Sequence, residues 1–127
     1  MANASLEHVN MTVSDPKKTA QMLVDLFDWE IRWEGPSMSN GYSVHVGAKD
    51  NYVAIYTNQS AGAALKPTAQ FKGALNHLGI VVDDLEVLEQ RVKKMGFAPF
   101  NHGTYEPGRR FYFYDHDEIE YEIVSYN

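Results

Sequence analysis

The sequence predicts an α+β fold: two βαβββ modules forming a mixed, curved sheet around a cleft. Three observations carry that expectation. A faint internal repeat relates Leu6-Glu7-His8-Val9-Asn10-Met11-Thr12-Val13 to Leu75-Asn76-His77-Leu78-Gly79-Ile80-Val81-Val82. Each repeat alternates in polarity and then gives way to apolar residues at helical spacing. After each helix come three runs rich in aromatic and β-branched residues, the usual material of strands. One helix covers only one face of a four-stranded sheet, so the two bare faces would enclose the cleft.

Taken in order, the first strand places Val9, Met11 and Val13 on one face and His8, Asn10 and Thr12 on the other. Asp15-Pro16 reads as a helix cap followed by proline at the first helical position. Ala20, Leu23, Val24 and Phe27 form the apolar stripe. Three strands follow in Glu30-Ile31-Arg32-Trp33-Glu34, Tyr42-Ser43-Val44-His45-Val46 and Asn51-Tyr52-Val53-Ala54-Ile55-Tyr56. Residues 57–73, with Gly62, Pro67 and Gly73, read as a connection. In the second half Leu78, Ile80 and Val82 face one way, with His77 and Gly79 opposite. Asp83 or Asp84 caps a helix whose stripe is Leu85, Leu88, Val92 and Met95, and Gly96 stops it. The last strands fall in Ala98-Pro99-Phe100, Arg110-Phe111-Tyr112-Phe113-Tyr114 and Ile119-Glu120-Tyr121-Glu122-Ile123-Val124. Pro107-Gly108 and Asp115-His116-Asp117 mark turns between them.

The chain has 127 residues, enough for one domain spanning 1–127. The expected division is a first module over about 5–57, a linker over 58–73 and a second module over about 74–125. Neither half is expected to be stable alone. The net charge of −6 lacks the basic footprint of a nucleic-acid binder. With no cysteine there is no disulfide framework, thiolate metal site or catalytic thiol, so any metal must be held by His, Asp or Glu. No apolar run is long enough for a membrane helix. The segment Met1-Ala2-Asn3-Ala4-Ser5 has neither a basic nor an apolar stretch of a signal peptide, so the expected compartment is the cytoplasm.

The chemistry is expected on the sheet faces that the helices leave bare. The opening strands offer His8, Asn10, Thr12, His77 and Gly79, and the final strand offers Glu120, Glu122 and Val124. Two imidazoles at matched repeat positions and a carboxylate form a ligand set suited to Zn, Mn, Fe or Ni, although a strand histidine also serves as an ordinary hydrogen-bonding residue. His45 could supply a further ligand or an acid/base group, or simply pack on its strand. His102 and His116 are expected to be solvated. Arg109 or Arg110 could grip an anionic group, or pair with surface carboxylates. Tyr42, Tyr52, Tyr56, Tyr105, Tyr112 and Tyr114 could line a pocket for a planar substrate, or reflect strand propensity alone. Glu120 could back the ligands, move a proton or point outwards.

The sequence resembles the vicinal oxygen chelate superfamily, which includes glyoxalase I, fosfomycin-resistance enzymes, bleomycin-resistance proteins and extradiol dioxygenases. The resemblance rests on His8 in Leu6-Glu7-His8-Val9, on His77 in the segment Asn76 to Leu85, and on the ending Phe111 to Ile123, and it spans residues 6–124. The family ends in an aromatic strand, a D-P-D-G turn and a short strand with a ligand Glu before an aliphatic residue. Here the turn is Asp115-His116-Asp117-Glu118, and the matching Glu is Glu122. The resemblance implies metal ligands at His8, His77 and Glu122, with Glu122 also catalytic. The first-module counterpart of Glu122 falls at Val53 or Ala54, with neighbours favouring Ala54, and neither can bind a metal. The four-ligand arrangement of typical glyoxalase I is therefore incomplete, and a His, His, Glu triad remains.

The resemblance further implies a divalent metal (Zn, Mn, Ni or Fe), a small substrate with adjacent oxygens, a homodimer, and lyase, isomerase, dioxygenase or thiol-transferase chemistry. Asn10, His45, Arg110, Tyr112 and Glu120 are the expected substrate contacts. The alternative is a metal-free protein of the bleomycin-resistance type that sequesters a cationic drug, which the acidic charge and tyrosine content suit.

Overall fold

The computed structural model describes residues 3–104 and 108–127. Met1 and Ala2 of the N-terminal segment, the pocket candidate Tyr105 and the turn residue Pro107 lie outside the described residues. The chain folds as two compact units, the first ending at Gly62 and the second beginning at Ala63.

The first unit runs β1 (His8–Thr12), α1 (Pro16–Phe27), β2 (Glu30–Ser37), β3 (Gly41–Gly47) and β4 (Tyr52–Thr57). Its strands lie in the order β1-β4-β3-β2, with β1 parallel to β4 and the other pairs antiparallel. The second unit runs β5 (Leu78–Val81), α2 (Leu85–Lys94), β6 (Phe100–Gly103), β7 (Arg109–Tyr114) and β8 (Glu120–Ser125). The order β5-β8-β7-β6 repeats the same pattern. The α+β class and the βαβββ order are thus present twice, as two four-stranded mixed sheets rather than one continuous sheet.

Local chemistry accounts for the element ends. The Asp15 carboxylate accepts a hydrogen bond from the Lys18 N–H at 3.3 Å, and Pro16 opens α1. The Asp84 carboxylate accepts from the Val87 N–H at 3.1 Å and so caps α2, which decides between Asp83 and Asp84. At the other end of α2, Gly96 has φ +93°; its N–H donates to the Lys93 carbonyl, and the Phe97 N–H donates to the Val92 carbonyl. That pair of bonds is the Schellman closure, which needs a left-handed residue at the glycine.

Helix packing differs slightly from the expected stripe in α1. Thr19, Ala20, Met22, Leu23 and Leu26 are buried, whereas Val24 and Phe27 are half-buried. Asp28 turns left-handed at the helix end, and the Phe27 ring meets Trp29 instead, with centroids 5.1 Å apart. In α2, Leu85, Leu88 and Val92 are buried as the spacing required, and Met95 is half-buried. The first core centres on Leu23, Leu26, Val44, Val46 and Ile55, and the second on Val92, Phe111, Phe113, Tyr121 and Ile123, all fully buried. In both units the alternation of the strands sends the opposite set of side chains to the face away from the helix.

Candidate functional site

Strand register settles which residues of the two units are equivalent. Asn10, two residues after His8, pairs with Ala54 on the adjacent strand. Gly79, two residues after His77, pairs with Glu122. Ala54 therefore stands in the first unit where Glu122 stands in the second, and the first sheet carries a methyl group in place of a carboxylate.

In the second unit the structure brings His77, Glu122, Arg110 and Tyr112 together. His77 precedes β5, Glu122 lies mid-way along β8, and Arg110 and Tyr112 lie on β7, with Tyr112 directly opposite Glu122. His77 Nε2 is 2.9 Å from Glu122 Oε1, and Arg110 Nη1 donates to Glu122 Oε2 at 2.8 Å. The side chains of Arg110 and Glu122 are each only 14% exposed. The Tyr112 ring meets His77 edge-on, with centroids 5.8 Å apart. His77 Nδ1 lies 2.8 Å from the Asn76 amide oxygen, which takes the ring proton at that nitrogen. The 2.9 Å between Nε2 and the carboxylate oxygen suits either an Nε2–H···O bond from a ring protonated at both nitrogens or, with Nε2 unprotonated, two ligand atoms of one ion. Glu120 is half-buried at the next same-face position of β8, opposite Tyr114. Its hydrogen bond with the Tyr114 hydroxyl is the main cause that raises the phenol's pKa.

In the first unit His8, Asn10 and Thr12 are exposed. His8 Nδ1 lies 2.8 Å from Glu7 Oε1. A carboxylate has no proton to give, so Nδ1–H donates; in the neutral ring Nε2 then keeps its lone pair, the arrangement found in metal-ligating histidines. That bond is also the main cause that lowers the Glu7 pKa. The His8 and Tyr52 rings stack with centroids 4.9 Å apart, and His45 stacks on Tyr52 at 4.7 Å. Trp33, 49% exposed, lies against His45 at 5.1 Å. Burial lowers the His45 pKa first, and repulsion from Arg32 and from a protonated His8 ring would lower it further. His45 also pairs across the sheet with Ala54. Within either unit, among the described residues, no three His, Asp or Glu gather into a metal-holding group.

Several weaker candidates are resolved by their partners. Both arginines pair with carboxylates of the chain: Arg109 with the exposed Glu86 of α2, and Arg110 with the largely buried Glu122. His116 is mostly buried rather than solvated, its side chain 17% exposed and 3.5 Å from Asp117. His102 lies on β6 and pairs with Glu89 at 3.0 Å. Tyr42 and Tyr56 bond Glu34 and the Met38 carbonyl respectively. Three residues went unnoticed in the sequence. Glu7 and Asn76 each immediately precede a repeat histidine and hold its Nδ1, so the repeat itself contained the signal. Trp33 offered only strand propensity.

A family model described as the glyoxalase/bleomycin resistance protein/dioxygenase superfamily matches residues 7–113. The chain belongs to that superfamily. No curated protein matches it. Among solved structures, the chain is similar to a glyoxylase/bleomycin resistance protein/dioxygenase domain from Frankia sp. EAN1pec, at 23% identity and TM-score 0.82, covering 98% of each chain. It is similar to the fosfomycin resistance protein FosX from Mesorhizobium loti, at 25% identity and TM-score 0.73, covering 98% of this chain and 92% of that one. It is also similar to FosX from Listeria monocytogenes, a structure holding Mn(II) and sulfate, at 21% identity and TM-score 0.74, covering 98% and 93%. These likenesses show the vicinal oxygen chelate fold. The superfamily contains both metalloenzymes and proteins without enzymatic activity.

Proposed function

We propose that this protein is a divalent-metal-dependent enzyme acting on a small substrate that presents two adjacent oxygen atoms. The observation that carries the reading is the pairing of His77 Nε2 with Glu122 Oε1 at 2.9 Å. Adjacent ligands of an octahedral ion bonded at about 2.1 Å stand about 3 Å apart, so these donors fit such a metal by spacing as well as by type. His77 and Glu122 would hold the ion, with Asn76 orienting the imidazole. His8 is proposed as a ligand on the separate ground that Glu7 leaves its Nε2 lone pair available. An imidazole and carboxylate set suits Zn, Mn, Ni or Fe, and the Mn(II) in the Listeria FosX structure makes manganese the first to try.

Bound there, such an ion supplies Lewis-acid polarisation of a substrate oxygen. The chain's own residues supply the rest. Glu122 combines its ligand role with charge placed beside the reacting group, and Glu120 offers a second carboxylate on the same face. Tyr112 packs against His77 and limits water there. Asn10 and His45 would contact substrate from the first unit's sheet face. Burial favours the neutral form of His45, so it offers a proton acceptor near neutral pH. Isomerase, lyase, dioxygenase and thiol-transferase reactions all draw on this shared chemistry. The family resemblance supports a homodimer.

A second reading, a metal-free binder of a cationic drug, draws support from the −6 charge and the ring cluster of Trp33, His45 and Tyr52. Thermal unfolding separates the two. The enzyme reading predicts saturable stabilisation by Mn(II), about 2.7 kcal/mol at a hundredfold excess over Kd. Stabilisation by a bleomycin-type ligand, with none by Mn, Zn, Ni or Fe, would replace it with the binder.

A further inference from the structure

We infer that Arg110 is a positioning residue for Glu122: it holds one carboxylate oxygen so that the other is presented, fixed, beside His77. The inference rests on the metal reading above and goes beyond it, because it assigns a role to a residue that touches no proposed ligand atom of His77. Arg110 Nη1 donates to Glu122 Oε2 at 2.8 Å, while Oε1 faces His77 Nε2 at 2.9 Å. The two oxygens thus have separate tasks.

A glutamate needs that division. Its terminal torsion is broad and nearly two-fold, so an untethered carboxylate offers either oxygen in a spread of orientations. The neighbouring strand gives no help, because the residue opposite Glu122 on β5 is Gly79, and the space where a side chain would stand is open. Tyr112, opposite on β7, packs against His77. Arg110 lies one same-face position along β7 from Tyr112, across from Val124, and reaches Glu122 diagonally. Its preceding neighbour Arg109 is committed elsewhere, to Glu86. Charge-assisted bonds of this kind are strong and directional, and the pair here is largely shielded from water.

Arg110 also has an opposite effect, since its positive charge repels a divalent ion. Orientation is expected to dominate, because removing a group that orients a metal ligand typically costs about 10–100-fold in affinity. The test is calorimetric titration of Mn(II) into metal-stripped wild type, R110K and R110Q, with H77A marking the site. Circular dichroism of each metal-free variant checks folding. R110Q should bind Mn(II) about 10–100-fold more weakly than wild type, and R110K should recover part of that loss. The visible spectrum of Co(II)-loaded R110Q should also shift, because a reoriented carboxylate changes the coordination; a purely structural role would leave it unmoved. R110Q binding as tightly as wild type, or more tightly, overturns the inference and leaves the metal reading standing. Should R110Q not fold, R110K decides, and wild-type affinity in that variant overturns the inference. Wild type that takes up no metal removes both.

Discussion

Asp115, in the turn before β8, satisfies three donors at once. Its Oδ1 accepts from the N–H groups of Asp117 and Ile119, at 2.9 and 3.0 Å, and its Oδ2 accepts from the buried Tyr121 hydroxyl at 2.9 Å. Asp115→Ala would strand these donors and should destabilise the second unit by about 2–3 kcal/mol in urea unfolding. Burial raises the Asp115 pKa above the ordinary aspartate value, outweighing those bonds. The folded state then holds the proton more tightly than the unfolded one. Stability from this group is therefore present at acid pH and is lost as pH rises through the raised value. Asp115→Asn should accordingly cost more at about pH 4 than at about pH 7, as urea unfolding at the two values would show. An equal cost at both would contradict the assignment. The same turn shows how a departure from the family pattern is accommodated. Glu118 takes φ +60° where the family has glycine, and Lys66 pairs with its carboxylate at 3.0 Å.

At the scale of elements, the caps were legible to within one residue because they are local, with the choice between Asp83 and Asp84 left to the structure. Asp84 lies three residues before the N–H that it captures, and Gly96 must adopt a conformation that other residues resist. Asp84→Ala should cost about 1 kcal/mol, measured as a lower urea midpoint at unchanged slope. The strand faces were legible for the same reason, since alternation is written into neighbouring residues. What could not be read was register. The spacing alone left Val53 and Ala54 open; the neighbours favoured Ala54, and the pairing of Asn10 with Ala54 fixes that register. The choice between Arg109 and Arg110 had the same character. Adjacent strand residues point to opposite faces, and a bulge or a one-residue slip would have exchanged their roles. The bulge in β2 between Ile31 and Trp33 illustrates the point: no feature of the sequence announced it, yet it lies beside the Arg32 that sits over the Tyr52 ring.

For the whole molecule, the repeat proved the most informative feature of the sequence. It carried the βαβββ order and the matched histidines, and the residues before those histidines, Glu7 and Asn76, turned out to share a task as well. The homodimer proposed from the family resemblance predicts a sedimentation mass near twice that of the 127-residue chain, and a monomer at all concentrations would exclude it. Among the described residues no helix is long and apolar enough to cross a membrane.

The proposed metal centre is tested most directly by equilibrium dialysis of metal-stripped protein against Mn, Zn, Ni and Fe(II), followed by elemental analysis. Wild type should retain about one equivalent of at least one of these ions, and folded His77→Ala and Glu122→Gln should lose it. Wild type retaining none of the four ions, or both variants retaining as much as wild type, would contradict a metal held by His77 and Glu122.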